Sequence, residues 1–359
     1  MTKKTLAALM ALLAVLVLAG CAQEQASPAT EPATIAATAP TEEATEAPTE
    51  APTEPQYTNP LTGEASAEEF NTRIFCSTIN HVKPALPPRG LVNADIYFEM
   101  FISDYCTRGL ALYADIESAG EIGSVRSLRY NFTDIAQGYD AIIAHAGGSK
   151  EVMADEQAAG LDNLNGNSMG GFHRDSARRE AGYAWEHTLF AYGTELMAEA
   201  VKRGYDVTLD PEKDFGMSFI ADGTPADGET ANTVKIDFIL YGRSKVTNMV
   251  YSTELGAYVY NQYNMEMKDE TTGAPETFEN VFVLLAPTSN DAKGLHVSDI
   301  EGSGEGYYAC GGKIIPITWH RETNDDVFSF RTLDGSQLQQ GIGNSYIAIA
   351  PTTSNISWS

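Results

Sequence analysis

Residues 125–149, VRSLRYNFTDIAQGYDAIIAHAGGS, hold the change of period on which the fold reading turns. Val125, Leu128, Phe132 and Ile135 recur at three- and four-residue steps, which predicts an amphipathic helix starting just after Gly123-Ser124. Residues 140–145 then read as a short apolar strand, and Gly147-Gly148-Ser149 breaks it before a second helix running to residue 159. Upstream, residues 73–80 read as a strand and the PALPPRG stretch as a loop, because three prolines within five residues forbid regular structure. Residues 94–102 and 109–114, rich in Ile, Tyr, Phe and Leu, are the next expected strands. A further helix is expected over residues 189–203, stopped by Gly204.

Beyond about residue 205 the pattern is different. Short strands are expected at 233–241, 248–252, 257–263, 281–286, 313–319, 327–331 and 345–350, with no comparable helical stripe among them. The expected class is α/β, in the sense of a mixed α+β chain. An N-terminal α/β domain spans 59–204, and a smaller β-rich domain spans 205–359 and can continue a sheet from the first. The 359 residues include 43% hydrophobic side chains, too many for a disordered chain. Lys and Arg number 23 against 49 Asp and Glu, a net charge of −26, so no nucleic-acid partner is expected and polyanions are repelled unless a local basic cluster receives them.

The N-terminus predicts export. Lys3 and Lys4 precede an apolar run from Leu6 to Ala19, shorter than the roughly 20 residues a spanning helix needs. The run ends in Leu18-Ala19-Gly20-Cys21, which resembles the bacterial lipoprotein cleavage box. Residues 1–20 are therefore expected as a signal peptide and Cys21 as the lipidated new N-terminus, its acyl chains, palmitate included, holding the protein on the outer face of the cytoplasmic membrane. Residues 21–58, rich in Ala, Pro, Thr and Glu, read as a disordered tether with a reach of up to about 110 Å.

The remaining cysteines are Cys76, Cys106 and Cys310. Cys76 with Cys106 is the most economical disulfide, and three free buried thiols are the alternative. Histidines at 81, 145, 173, 187, 296 and 320 show no metal-ligand spacing, and there is no C-x-x-C, so neither a metal nor a cofactor is expected.

Asn59-Pro60-Leu61-Thr62-Gly63, PPRGLVNADIYFE, Thr107-Arg108, IGSVRSLRY, YDAIIAHAGGS, NVFVLLAP, GYYACGGKIIPITWH and GNSYIAIAP follow one another from about residue 59 to 351. In these stretches the chain resembles the YerB-like family of bacterial lipoproteins. The resemblance implies an N-terminal α/β domain and a C-terminal β-rich domain, and no established activity. The family's acidic residue followed by two glycines is replaced by Asp104-Tyr105-Cys106, and its Pro-His-Asn by Trp185-Glu186-His187.

Arg126 and Arg129, three apart on the expected helix, share a face beside free backbone N–H groups at its start, an arrangement suited to carboxylate or phosphate. Pairing with nearby acids is the alternative, since residues 59–204 carry 12 basic and 20 acidic groups. His145 ends its strand ahead of the Gly turn, where open α/β sheets bind ligands, and Ser149 follows as a cap or nucleophile. Arg108 and Arg174 are further ligand-binding candidates. Glu99 is a candidate acid, with Asp104, or else an ion-pair partner of Arg108. Gly166-Asn-Ser168-Met-Gly170 fits a hydrolase string but lacks the strand before it and reads as a loop. Tyr307-Tyr308, Trp319-His320 and Trp358 read as core aromatics before sugar platforms. The expected function is a membrane-anchored protein binding an anionic cell-envelope ligand at Arg126, Arg129, His145 and Ser149. The alternatives are an envelope hydrolase with His145 as general base, and a structural protein that binds a protein partner.

Overall fold

A computed structural model describes residues 56–359. The signal peptide, Cys21 and the tether up to residue 55 lie outside the described residues. Tyr57–Thr58, at the end of the expected tether, already pair as a short strand with Ala65–Ser66.

In chain order, the elements that position the site are β1 (Phe75–Asn80), β2 (Ile96–Ser103), β3 (Cys106–Tyr113), β4 (Glu121–Gly123), α1 (Tyr130–Gly138), β5 (Ile142–His145), α2 (Lys150–Ala159), β6 (Asn163–Asn165), β7 (Phe172–Arg174), β8 (Leu189–Tyr192) and α3 (Gly193–Arg203). The second half adds β9 (Thr233–Leu240), β10 (Arg243–Ser252), β11 (Ala257–Gln262), β12 (Asn280–Ala286), β13 (Gly302–Cys310), β14 (Lys313–Arg321), β15 (Ser345–Pro351) and β16 (Asn355–Trp358). Strands predominate, and the α-helices lie within residues 130–203 among the described residues.

One sheet runs β14-β13-β12-β15-β2-β3-β1-β5-β6. Its central join is β15, parallel to β2 on one side and to β12 on the other, with Tyr346 opposite Tyr97 and Ala348 opposite Glu99. The last long strand of the chain is thus inserted beside one of the first. The segments expected as two domains share this sheet. A second, antiparallel sheet is built from β11, β10, β9 and β16 in that order.

The central strands are apolar on both faces because both are covered. Tyr97, Phe101, Ala111, Tyr113, Tyr346 and Ala348 point toward the second sheet and pack with Val234, Ile236, Phe238 and Tyr260. Phe98, Met100, Leu110, Leu112, Ile347 and Ile349 point the other way, toward Leu128, Phe132, Ile135 and Val152 around α1 and α2.

The helix expected from residue 124 begins only at Tyr130. Residues 124–128 are instead tied across the ends of β1 and β5: Asn80 N donates to Ser124 O (3.0 Å), Val125 N to Leu189 O (2.8 Å), Leu128 N to Gly147 O (2.8 Å) and Ala146 N to Arg126 O (2.9 Å). Those bonds satisfy the main chain without a helical turn. Likewise residues 189–192 form β8, and α3 starts at Gly193. The three cysteines are free. Cys76 sits opposite Leu112, six positions along β3 from Cys106, about 20 Å away and far beyond bridging distance.

Between the sheets lies Glu99, fully buried. Its carboxylate accepts from Thr107 Oγ1 (2.5 Å), Tyr346 OH (2.6 Å), Thr247 Oγ1 (3.0 Å), Tyr260 OH (3.1 Å) and the Lys245 ammonium. Burial pushes this carboxyl up, but Lys245 and His81 outweigh it and hold it well below the usual range. Lys245→Met strands that charge, and we expect a loss of about 3–5 kcal/mol. Adding Glu99→Gln restores part of it, as urea unfolding of the single and double variants will show.

Glu276 is the opposite case, with neither carboxyl oxygen hydrogen-bonded. Burial, with the Asp269 charge adding, raises its pKa well above the usual 4.5. A carboxyl held protonated in the native state leaves stability intact below about pH 4.5 and loses it as pH rises toward the folded value. Glu276→Gln is therefore expected to be the more stable chain at pH 8, by at least about 1 kcal/mol. The gap closes toward pH 4.5 in unfolding curves taken across that range.

Candidate functional site

Arg108, Arg126, Arg129 and Arg174 gather at the ends of β1 and β5, although the helix face expected to align two of them does not exist. Arg108 stands on β3, opposite Asn80 of β1. Arg126 lies in the extended segment, its N–H donating to Thr78 Oγ1 (3.1 Å) and its carbonyl accepting from the same hydroxyl. Arg129 is the residue before α1, and Arg174 ends β7 opposite Leu189 of β8.

Every hydrogen bond these guanidinium groups make goes to a main-chain carbonyl. Arg108 Nη1 donates to Ser127 O (2.7 Å), Arg126 Nη1 to Glu186 O (3.2 Å), Arg129 Nη1 to Leu128 O (2.7 Å) and Arg174 Nη1 to Trp185 O (2.7 Å). Among the described residues none of the four has a carboxylate at ion-pair distance. Arg73, Arg89, Arg178, Arg203 and Arg243 each have at least one, while Arg179, Arg321 and Arg331, scattered elsewhere, bind main-chain carbonyls. The Nε atoms of Arg108, Arg126 and Arg129 are buried and unpartnered.

The four feel one another's charge. Burial, then the fields of Arg129 and Arg126, lower the pKa of Arg108 well below its ordinary value. Burial also lowers Arg129, with Cys106 and Asp291 pulling the other way and Arg126 adding to the drop. Burial followed by Arg126 lowers Arg174. Arg108 is 4% exposed, a charge held almost inside the fold without a counterion.

The other candidates stand elsewhere. His145 is fully buried, Nδ1 3.1 Å from Gly147 O and Nε2 facing Glu156 Oε1 at 3.0 Å, off hydrogen-bonding alignment. Both ring nitrogens face protein groups, so the expected general base has no open atom and does not join the arginines. Its partner acid, Glu156, comes from the buried side of α2, an assignment no spacing in the sequence indicates. Ser149 caps α2, its Oγ accepting from Val152 N at 3.3 Å. Glu99 is spent on Lys245 rather than on Arg108, and Asp104 lies 3.4 Å from Arg243 Nε. Tyr105 beside it takes a φ of 59° at the hairpin, and its OH accepts from Arg243 Nη1 (2.6 Å). Gly166 to Gly170 form a turn after β6, as expected. Tyr308 and Trp319 are buried.

Three residues at this place were not selected from sequence. Burial raises the Cys106 thiol, and the charges of Arg108, Lys245, Arg129 and Arg126 pull it the other way. His187, its ring lowered by burial and then by Arg126, lies behind with Nδ1 3.0 Å from Asn80 Nδ2. Trp185 is 58% exposed, and Arg174 stacks on its ring at 4.4 Å. The visible signal was the Trp185-Glu186-His187 departure from the family pattern.

Known proteins resemble this chain throughout its folded part. Residues 61–206 match the N-terminal domain, and residues 234–347 the C-terminal domain, of the family described as "Protein of unknown function (DUF3048)". The Bacillus subtilis (strain 168) protein named "Putative lipoprotein YerB" is 28% identical over 300 residues, covering 81% of this chain and 86% of its own length. The crystal structure of YerB protein from Bacillus subtilis superposes with a TM-score of 0.72 at 23% identity, covering 84% of this chain and 99% of that one.

Like charges without counterions cost stability. Arg129→Gln is expected to unfold about 2 °C higher than the natural chain in low-salt, anion-free buffer, corresponding to about 1 kcal/mol. Sodium chloride narrows that difference in thermal scans.

Proposed function

This chain belongs to the YerB-like family, and from that premise we propose a lipoprotein, anchored through Cys21 on the outer face of the cytoplasmic membrane, that binds an anionic cell-envelope ligand. The arginines at 108, 126, 129 and 174 are its receptor. The observation that carries the reading is their lack of counterions in a chain with 49 acidic and 23 basic side chains. Of the other arginines, Arg73, Arg89, Arg178, Arg203 and Arg243 pair with carboxylates, whereas Arg179, Arg321 and Arg331 stand singly on main-chain carbonyls, Arg321 with Asn324 Oδ1 as well; what sets the four apart is that they lie together. Four that bind only main-chain carbonyls keep their charge available. Arg126, Arg129 and Arg174, only half-buried, still have N–H groups to offer in the planar fork that suits phosphate or carboxylate oxygens, and the buried Arg108 adds its charge.

Such a site positions and holds an anion rather than transforming it. The imidazole whose ring Arg126 lowers, His187, is buried and lowered first by burial, so it offers no open base to the anion. The net charge disfavours long polyanions such as nucleic acid and favours a small ligand or the end of a larger one.

Calorimetric titration of the detergent-solubilised full chain with pyrophosphate tests the reading. We expect saturable binding that weakens as sodium chloride is raised, and a loss of at least tenfold, about 1.4 kcal/mol, in Arg126→Ala/Arg129→Ala. Binding that is absent, or equal in the double variant, removes the proposal.

A further inference from the structure

We infer that the anion recognised by the arginines is carried on a sugar, whose ring lies against Trp185. This rests on the anion reading above and names the ligand class. Trp185 is the large aromatic at the rim of the cluster, and at 58% exposure most of its indole meets solvent. An aromatic face open to solvent directly beside a charge receptor is placed to receive the apolar side of a ligand whose charged end the arginines hold.

Its backbone is fixed in place. The Trp185 carbonyl accepts from Arg174 Nη1 (2.7 Å) and Thr188 Oγ1 (2.8 Å), the Glu186 carbonyl accepts from Arg126 Nη1 (3.2 Å), and His187 is buried against Asn80. Two of the four candidate arginines therefore hold the short helical turn that carries the indole, Trp185–His187. The platform and the charge receptor form one rigid unit, so little order has to be gained on binding. The Arg174 guanidinium stacks on the ring at 4.4 Å, which leaves the rest of the indole to a ligand.

A pyranose offers polarised C–H groups from one face, which suit the negative face of an indole, and hydroxyls around its edge. Beside Trp185, the exposed Glu186 carboxylate has no ion-pair partner among the described residues and is an acceptor for such hydroxyls. One phosphate or carboxylate on the sugar meets the arginines without bringing repeated negative charge against a chain of net charge −26.

The experiment compares four probes by calorimetry on the full chain in detergent: inorganic phosphate, N-acetylglucosamine 1-phosphate, neutral N-acetylglucosamine and adenosine monophosphate. We expect the sugar phosphate to bind about tenfold tighter than phosphate and than adenosine monophosphate, and the neutral sugar to bind far more weakly. Trp185→Leu keeps the carbonyl that Arg174 grips. It is expected to bring the sugar phosphate down to the affinity of phosphate and to leave phosphate unchanged, whereas Arg126→Ala/Arg129→Ala weakens both. Phosphate binding with no advantage for the sugar phosphate overturns the sugar assignment alone. So does equal or tighter binding of adenosine monophosphate, or a Trp185→Leu variant that lowers both ligands equally or neither. If no probe binds, the anion reading falls and this inference with it.

Discussion

The Glu99 carboxylate is the constraint around which the two halves of the chain close. It lies in the middle of β2, fully buried, and of the side chains around it Thr107 and His81, whose Nδ1 is 3.5 Å away, come from the same half of the sequence. Lys245, Thr247, Tyr260 and Tyr346 come from the other half. A charge taken out of water costs several kcal/mol unless a partner and hydrogen bonds replace its solvation. Residues 59–204 alone cannot supply them. The insertion of β15 between β2 and β12 makes the same demand on the backbone, because without it β2 has an unpaired edge in the middle of the core. The match of this chain to two family domains and the single shared sheet are therefore compatible: the halves are distinct in sequence and interdependent in packing.

A second polar link reinforces that closure and bears on the site. Glu270, from the second half, is 2.6 Å from both Arg89 Nε and Arg178 Nη2 in the first. Arg89 also binds Glu121 and Asp175, and Arg178 reaches the carbonyls of Ala85, at 3.0 Å, and His187, at 3.3 Å. The His187 end of the turn carrying Trp185 is thus anchored to residues far away in sequence. Here the acids are consumed by arginines whose role is to brace the fold. A few residues away, arginines of the same type are left without acids.

Much of the β-structure was legible locally. β9 and β10 alternate buried and exposed positions, and β12 and β15 are continuous apolar runs. β13 escaped because its sequence, GSGEGYYAC, looks like a loop; a Cβ on Gly304 would meet the Trp319 ring at 2.5 Å, and one on Gly306 the Val283 carbonyl at 2.5 Å, so close packing rather than a turn requires those glycines. The helix misplaced at residue 124 has a related cause. Val125, Leu128 and Phe132 are all buried, as a helical stripe predicts, but the first two are buried by a main chain stretched across strand ends. Period alone does not distinguish the two. Arg126 and Arg129 were therefore singled out for a geometry they do not have, and they meet because Thr78, Ala146 and Gly147 fix the segment between them. Glu156 opposite His145 and Lys245 against Glu99 are contacts across 11 and 146 residues that only the folded chain creates.

The rigidity of that segment decides how the four arginines keep a common direction. A long flexible cation on a surface gains little from any one ion pair, because the side-chain entropy it loses offsets most of the attraction, and it wanders among partners. These four are instead fixed by where their guanidinium groups are held. Ser127 O fixes Arg108, Leu128 O fixes Arg129, Glu186 O fixes Arg126 and Trp185 O fixes Arg174. Each of those carbonyls belongs to the segment over β1 and β5 or to the turn that carries Trp185. A main-chain carbonyl orients a guanidinium without neutralising it, so the cluster keeps its direction and its charge together. That combination is costly to the folded chain, and it is useful only to a ligand that brings the missing negative charge with it.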